Sequence, residues 1–334
     1  MEAKGIGSAG WRERLQGHLI TLGGTVRHGL RPTALADQPW SMEVPNEFGE
    51  PIHHSGRFLA GGRGEDTLVV ILHGLGGDVE RGYCREAALA AEQAGFSSLR
   101  LALRGADGRG EDFYHAGFTD SLAALLGAAR WEQVKQIAVI GFSLGGSIAL
   151  RAAVEGVDER IRAAVAICPP LKLSAAQIHI DRPGFSVYRK AVLGALKQSY
   201  ERVSRGPRRA GMELPPPQRV EMVETIREWD RLTVVPRFGF GSVEEYYRTQ
   251  SVGPRLREIR IPTLVLVSPA DPMIPAESLR GSLGRASSQV QACWVPGGGH
   301  VFFPPRATLG LEKISAGGGI HQEIFRWLSA AGLT

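Results

Sequence analysis

Runs of β-branched and aliphatic residues alternate with helix-length segments through most of this 334-residue chain. The run TLVVIL at 67–72 is apolar after its first residue, as expected for a strand buried on both faces of a sheet. Further strands are predicted at 97–103, 136–140, 161–167, 261–267 and 289–295. Helices are predicted at 82–94, 119–130, 144–155, 275–283 and 320–330. This alternation predicts βαβ units and a mostly parallel central sheet flanked by helices.

The alternation stops near residue 171 and resumes near residue 255. The intervening segment is polar and mostly helical in propensity, and 171–260 contains 17 Lys and Arg against 10 Asp and Glu. An interrupted α/β alternation predicts a single core, made of 61–170 and 255–334, with an inserted and mainly helical lid at 171–254.

Residues 1–60 are punctuated by Gly, Pro and His and are only weakly periodic. We expect an extended N-terminal arm there, followed by short antiparallel strands near 41–44 and 52–59. The opening sequence MEAKGIGSAGWRERLQG carries charges of both signs and no apolar core, so we expect no secretory signal. The three cysteines are far apart and odd in number, which favours reduced thiols in a cytoplasmic protein.

The segment GFSLG at 141–145 directly follows a predicted buried strand and opens a predicted helix. On such a turn G-x-S-x-G forms a nucleophile elbow, in which a tight, strained turn lifts the serine hydroxyl out of the sheet. With 43 glycines in the chain the pattern alone is weak evidence, and an incidental serine in a turn is the other interpretation. The strand-turn-helix setting favours Ser143 as a nucleophile and an α/β-hydrolase fold.

A glycine-rich loop, HGLGG at 73–77, follows the first core strand. In hydrolases with a nucleophile elbow, one oxyanion donor is the N–H of the residue after the serine, here Leu144, and the other comes from this early loop. We assign the second N–H to Leu75, because the flanking glycines allow a substrate to approach closely. A phosphate-binding loop is the alternative, but it would need a following Lys-Ser/Thr or a G-x-G-x-x-G pattern.

A serine nucleophile needs a base and an acid that orients it. Among nine histidines, His300 stands in PGGGH, after the last predicted strand and before the terminal helix. Asp271 stands in SPADP at the end of strand 261–267, where its alternative role is to start a turn. The order Ser, Asp, His matches that of the fold. The other histidines considered lie in a helical pattern or in loop and arm segments: His321, His53, His54 and His115.

Several segments, in order along the chain, resemble the YheT-type α/β-hydrolases. They are LHGLGG at 72–77, RG at 104–105, YHAGFTD at 114–120, GFSLGG at 141–146, WD at 229–230, GF at 239–240, EYY at 245–247, IPTL at 261–264 and GGH at 298–300. The resemblance covers most of the chain from about residue 40 onward. It implies a cytoplasmic or membrane-associated hydrolase of carboxylic esters, with acyl or lipid substrates in several relatives and a triad of Ser143, Asp271 and His300.

Two segments depart from the pattern of that family and leave the choice of substrate open. The sequence PADP at 269–272 stands where many relatives have an acidic doublet, and the insert at 180–218 has no counterpart that we recognise. We expect the lid to form the acyl pocket. The tentative pocket residues are His73, Phe142, Phe238, Phe240 and Tyr246. Other aromatic residues of the lid that could form its wall, or its own core, are Phe185, Tyr188, Trp229 and Tyr247.

The expected mechanism requires no metal and no organic cofactor, and the expected partner is a small-molecule acyl ester. No zinc-finger spacing, RNA-binding signature or long basic block accompanies the net charge of +5, so we expect no nucleic-acid partner. The basic insert leaves peripheral contact with a membrane open. Alternative functions are a thioesterase, an acyltransferase or a perhydrolase with the same triad, a non-catalytic binding module of the same fold, or a lipid-surface protein.

Overall fold

The computed structural model describes residues 9–30, 34–45, 49–64, 66–109, 111–206 and 214–334. These form one eight-stranded sheet with the strand order β1-β2-β4-β3-β5-β6-β7-β8. The strands are β1 Gln38–Pro45, β2 Pro51–Leu59, β3 Thr67–Leu72, β4 Ser97–Leu101, β5 Gln136–Phe142, β6 Ile161–Ile167, β7 Thr263–Val267 and β8 Val290–Trp294. β3 to β8 pair in parallel, and β1 and β2 add an antiparallel edge. The α/β-hydrolase sheet predicted from the sequence is confirmed.

Helices cover the sheet and fill the connection between β6 and β7. They are α1 Trp11–Leu30, α2 Gly82–Gln93, α3 Asp120–Leu126, α4 Leu144–Glu155, α5 Leu173–Ile180, α6 Ser186–Arg205, α7 Pro217–Glu221, α8 Ile226–Trp229, α9 Val235–Arg237, α10 Val243–Gln250, α11 Glu277–Leu283 and α12 Ile320–Ala330. A π-helical turn, Asp230–Val234, joins α8 to α9. Helices α5 to α10 fall within the segment that we propose as the lid, 171–254. Within the described ranges, no helix has the length and apolar character needed to cross a bilayer.

The central strands β3 and β7 are buried along their whole length because both sides of the sheet are covered there. In β3, Leu68, Val70 and Leu72 belong to the apolar layer that includes residues of α3, α4 and the lid. The alternate residues, Val69 and Ile71, belong to the opposite layer, with residues of α2 and α12. This period of two follows from the pleat of a strand and leaves the carboxyl ends of the parallel strands at one edge. The loops that follow β3, β5, β7 and β8 meet at that edge.

Some predicted elements have different ends. β4 ends at Leu101 rather than at residue 103, and the N–H of Leu103 donates to the Nε2 atom of His73 instead of to a strand. The helix predicted at 119–130 is α3 followed by a separate 3₁₀ turn, Ala129–Trp131. Gly127 forms the C-cap of α3 and separates the two.

The expected extended arm is wrong for residues 11–30, which form α1. Small residues on one side of α1 allow its backbone to approach the loops after β7 and β8. A Cβ atom on Gly17 would lie 2.0 Å from the carbonyl oxygen of Ala270, and one on Gly24 would lie 2.5 Å from the ring of Phe302. Large apolar residues at helical spacing are the usual sign of a packed helix, and this contact does not use them.

Candidate active site

Ser143 lies between β5 and α4 with backbone angles φ 51° and ψ −120°. A positive φ is uncommon for a non-glycine residue, so the elbow is held in a strained conformation by its surroundings. Gly145 permits this packing, because a Cβ atom there would lie 2.4 Å from the carbonyl oxygen of His73 and 2.6 Å from that of Leu72. The elbow is therefore pressed directly against the loop that follows β3.

The three residues predicted as a triad lie side by side at the carboxyl ends of β5, β7 and β8. The Nε2 atom of His300 is 2.9 Å from the Oγ atom of Ser143, and its Nδ1 atom is 2.8 Å from the Oδ2 atom of Asp271. His300 is 6% exposed and Asp271 is 8% exposed. Burial strengthens hydrogen bonds between these groups, because little water competes for them.

Asp271 and His300 each have a further hydrogen-bond partner that holds them in position. The Oδ1 atom of Asp271 accepts hydrogen bonds from the N–H groups of Met273, at 2.8 Å, and Ile274, at 3.0 Å. The backbone N–H of His300 donates to the Oγ1 atom of Thr21 at 2.8 Å. Thr21 belongs to α1, so a helix that the sequence did not predict holds the backbone of His300 in place.

The predicted oxyanion donors, Leu75 and Leu144, flank the same point. Leu144 is the first residue of α4, and the loop containing Leu75 packs on the elbow so closely that a Cβ atom on Gly74 would lie 3.1 Å from the Cβ atom of Ser143. Neither leucine N–H donates to another residue within the described part of the chain. Two backbone donors beside a nucleophile are the arrangement that stabilises a tetrahedral oxyanion.

Two tyrosines hold the glycine-rich loop, and the sequence did not reveal their roles. The hydroxyl of Tyr114 donates to the carbonyl of Gly74 and accepts from the N–H of Gly76, both at 3.1 Å. The hydroxyl of Tyr83 accepts from the N–H of Gly74 at 3.3 Å. The peptide groups on both sides of Leu75 are therefore fixed by side chains.

His73 supports this loop from behind and does not line a pocket. Its Nε2 atom accepts from the N–H of Leu103 at 3.1 Å, which leaves the proton on Nδ1 to be donated to the carbonyl of Gly74 at 2.9 Å. Complete burial lowers the pKa of His73 to about 4, so the ring is neutral near pH 7.

A cavity of about 300 Å³ opens over Ser143 and His300. The lid supplies much of its wall, including the aromatic side chains of Tyr188, Trp229, Tyr246 and Tyr247 and the apolar side chains of Val192 and Ile226. A concave, mostly apolar space with a few polar groups beside a nucleophile is typical of a substrate site.

Four of the tentative pocket residues lie outside this cavity, and their assignment to it was wrong: His73, Phe142, Phe238 and Phe240. Phe142 points to the opposite face of the sheet and packs on Tyr83, with 4.7 Å between ring centroids. Phe238 and Phe240 surround the ring of His115 at 4.5 and 5.4 Å. Phe185, also considered, packs against His179 at 4.3 Å.

Two residues that line the cavity, Asp230 and His115, were not predicted as pocket residues from the sequence. Asp230 is the only acidic side chain among the described residues of the lining, and the hydroxyl of Tyr247 donates to its Oδ2 atom at 2.6 Å. Burial raises the pKa of Asp230 to about 7, against the lowering effect of that hydrogen bond. Burial also lowers the pKa of His115 to about 3, so this histidine is neutral. The WD pair at 229–230 was visible only as part of the family resemblance.

Cys168 lies next to the triad, and its Sγ atom is within 4.8 Å of ligand atoms of Asp271 and His300. Burial, and then the negative charge of Asp271, raise the pKa of Cys168 well above its usual value. The thiol therefore remains protonated, whereas metal binding requires a thiolate. Asp271 and His300 are also bonded to each other, so this group does not fit a metal ion.

The chain was compared with known proteins. The model of the alpha/beta hydrolase family matches residues 69–308. YheT of Escherichia coli, described as a candidate esterase, is 31% identical over 245 residues, which cover 70% of each chain. The monoacylglycerol lipase of Saccharomyces cerevisiae is 26% identical over 225 residues, which cover 62% of this chain and 48% of the lipase.

Solved structures show the same fold at low sequence identity. The esterase Pf2001 of Pyrococcus furiosus superposes with a TM-score of 0.51 at 17% identity, covering 80% of this chain and 85% of the esterase. A 2,6-dihydroxy-pseudo-oxynicotine hydrolase superposes with a TM-score of 0.53 at 17% identity, covering 89% of this chain and 69% of the hydrolase. At such identities the likeness concerns the architecture alone.

Proposed function

We propose that this chain, which belongs to the alpha/beta hydrolase family, is a serine hydrolase that cleaves carboxylic esters through an acyl-enzyme on Ser143. The observation that carries the proposal is the unbroken hydrogen-bond chain from Asp271 through His300 to the hydroxyl of Ser143. A serine hydroxyl is a weak nucleophile until a neighbouring base accepts its proton, and His300 is placed to do so.

In the first half of the reaction, the Oγ atom of Ser143 attacks the carbonyl carbon of the ester while the Nε2 atom of His300 takes its proton. The resulting oxyanion accepts hydrogen bonds from the N–H groups of Leu75 and Leu144. The tetrahedral intermediate then collapses: the bond to the alcohol oxygen breaks, and His300 gives its proton to the departing alcohol. An acyl ester on Ser143 remains.

In the second half, His300 takes a proton from a water molecule, whose oxygen attacks the acyl carbon. The bond from the acyl carbon to the Oγ atom breaks, the proton returns to Ser143, and a carboxylic acid leaves. Asp271 keeps the imidazole in the tautomer that can accept at Nε2, and it stabilises the positively charged ring in both halves.

The substrate class that we propose is an acyl ester with an apolar chain. The apolar wall that the lid contributes to the cavity favours a hydrocarbon chain over a polar group. Relatives named as esterases and as a monoacylglycerol lipase support ester hydrolysis in general. A thioester, or transfer of the acyl group to an alcohol in place of water, would use the same triad.

The decisive experiment is labelling with a fluorophosphonate probe, which reacts only with an activated serine. We expect the wild-type chain to be labelled and Ser143→Ala not to be. Ser204→Ala is the matched control, because Ser204 lies in the last turn of α6 and its hydroxyl donates to the carbonyl of Glu201 in the same turn. Equal labelling of all three would remove Ser143 as the nucleophile, and no labelling of any would favour a binding module.

Substrate class can then be tested with nitrophenyl esters of increasing chain length, with a matching thioester, and with an added alcohol as acyl acceptor. We expect the highest kcat/KM for an ester with an acyl chain that fills the cavity. A preference for the thioester, or an ester product formed with the alcohol, would assign one of the alternative activities.

A further inference from the structure

The side of α1 that faces solvent is apolar. The exposed large apolar residues of this helix are Trp11 at 71%, Leu15 at 53%, Leu19 at 63%, Leu22 at 43% and Val26 at 60%. At 3.6 residues per turn they fall within an arc of about 80°. We call this arc the outer face of α1.

The opposite side of α1 makes the packing contacts. Gly17, Thr21 and Gly24 lie there, against Ala270, His300 and Phe302. A surface helix of a globular protein normally buries its large apolar residues and exposes its polar ones. In α1 the small residues are inside and the large apolar ones are outside, so packing within the described chain does not account for the outer face.

The apolar surface continues onto the lid. Ile178 in α5 is 56% exposed and Val187 in α6 is 60% exposed. A hydrogen bond of 2.8 Å between His18 and Tyr188 joins α1 to α6 beside Val187. Apart from Met222, every exposed large apolar residue of the described chain belongs to the outer face or to this lid edge. Leu22 and Val187 also line the cavity above Ser143, so the apolar surface reaches the cavity mouth.

Cations lie along this surface. Arg12 is exposed on α1, and Arg14, Arg182 and Ile178 line one groove between α1 and the lid. Lys190 is exposed on α6. Three acids lie among these cations. The carboxylate of Asp181 accepts from backbone N–H groups at the start of α8, that of Glu13 accepts from the N–H of Gly10, and Glu277 lines the groove with Arg182. The four cations outnumber the three acids, so the rim of the apolar surface carries a small positive excess.

We propose that the outer face of α1, together with Ile178 and Val187, docks on an anionic phospholipid bilayer. Apolar side chains including a tryptophan, flanked by arginine and lysine, fit the boundary between acyl chains and negative headgroups. The docked chain presents its cavity mouth to acyl esters dissolved in the bilayer. That delivery of substrate rests on the proposed esterase function, whereas the docking itself does not.

A second copy of the chain is the competing occupant, and the basic rim decides against it. Two such faces packed together would bring like charges into contact, whereas an anionic bilayer neutralises them. The four glycines of α1 also make it a poor helix for self-association through a coiled coil.

The test uses the full-length Ser143→Ala chain, which cannot consume lipid esters, in flotation with vesicles. We expect binding to phosphatidylcholine vesicles containing about 30% phosphatidylglycerol, and weaker binding to phosphatidylcholine alone or at high salt, because salt screens the headgroup charge. Equal recovery with both vesicle types at both salt concentrations, or no binding to either, would overturn the proposal.

The residue test is Leu15→Gln with Leu19→Gln, compared with Met222→Gln as a control at an even more exposed apolar position outside this surface. We expect the double variant to lose vesicle affinity about tenfold or more, and the control to bind as the parent does. Circular dichroism and melting temperature establish that all three are folded. Equal loss in the control, or a dimer that dissociates only in the double variant without vesicle binding, would refute lipid docking. Fluorophosphonate labelling of the chain with Ser143 intact tests the esterase proposal separately.

Discussion

The rim that carries the proposed triad, formed by the loops after β3, β5, β7 and β8, differs from the lid wall of the cavity in how its side chains are held. At the rim, Asp271 and His300 each have hydrogen-bond partners at distances of 2.8 to 3.0 Å, and Ser143 is strained into place. In the lid wall, ring contacts join side chains of α6, α8 and α10, and hydrogen bonds are fewer, such as the one from Tyr247 to Asp230. The proposed chemistry thus depends on a short chain of hydrogen bonds, whereas the shape of the pocket depends more on packing.

The sharpest test of the rim is Asp271→Asn. Its amide would donate to the Nδ1 atom of His300 and favour the tautomer that cannot accept the proton of Ser143, so we expect kcat to fall about 10⁴-fold. Steady-state kinetics on a soluble nitrophenyl ester would measure this. Asp158→Asn, at the other end of the sheet, is the matched control and should retain kcat within about twofold. A loss below about tenfold in Asp271→Asn would mean that the acid only starts a turn.

A smaller effect on kcat is expected for Tyr114→Phe, at a residue whose hydroxyl holds the loop after β3. Loss of the hydroxyl that bonds Gly74 and Gly76 should loosen the donor at Leu75 and lower kcat about tenfold with little change in KM. The control is Tyr200→Phe, which removes a lid hydroxyl bonded to the carbonyl of Pro215. Tyr114 also lines the cavity, so a rise in KM without a fall in kcat would show that it contributes to substrate binding rather than to the donor at Leu75, and the contrast between the regions would weaken.

The smallest effect on catalysis is expected in the lid, for Asp230→Asn, where stability should change instead. Burial, opposed by the hydrogen bond from Tyr247 and assisted by the charge of Asp181, raises the pKa of Asp230 from 3.8 to about 7. Between these values the folded chain retains a proton that the unfolded chain releases, so this carboxyl lowers stability as pH rises.

The amide of asparagine does not titrate in this pH range, so the variant lacks this contribution to the pH dependence. The free energy of unfolding of Asp230→Asn, relative to wild type, should therefore increase by about 2 kcal/mol or more from pH 4 to pH 8. Urea unfolding across that pH range measures the difference. A difference that does not change with pH would show that Asp230 titrates normally.

The rim could be predicted from the sequence because its residues directly follow recognisable strands. A buried strand followed by G-x-S-x-G places Ser143, and polar residues after two later strands place Asp271 and His300. The carboxyl ends of parallel strands meet at one edge, so these three positions had to be neighbours. The cytoplasmic location remains a prediction.

The lid wall and α1 could not be predicted in the same way. Phe142 directly precedes Ser143 in the sequence, but it points to the opposite face of the sheet, as alternate residues of a strand do. The lid has no sheet register from which Phe238 could be separated from Tyr246. The large apolar residues of α1 do recur at helical spacing, but they lie on its exposed side. The packed residues are Gly17 and Gly24, which contribute close approach and no apolar side chain, so the pattern would not have identified the buried face.

The hydrogen bond between Thr21 and the backbone of His300 joins positions 279 residues apart. A shortened chain that begins at β1 would retain all eight strands, and also the entire segment matched by the family model. It would nevertheless lose the hydrogen bond from His300 to Thr21. We therefore expect N-terminal trimming to leave a folded chain with a reduced rate of ester hydrolysis. The boundaries of a recognisable domain and those of a working catalyst need not coincide.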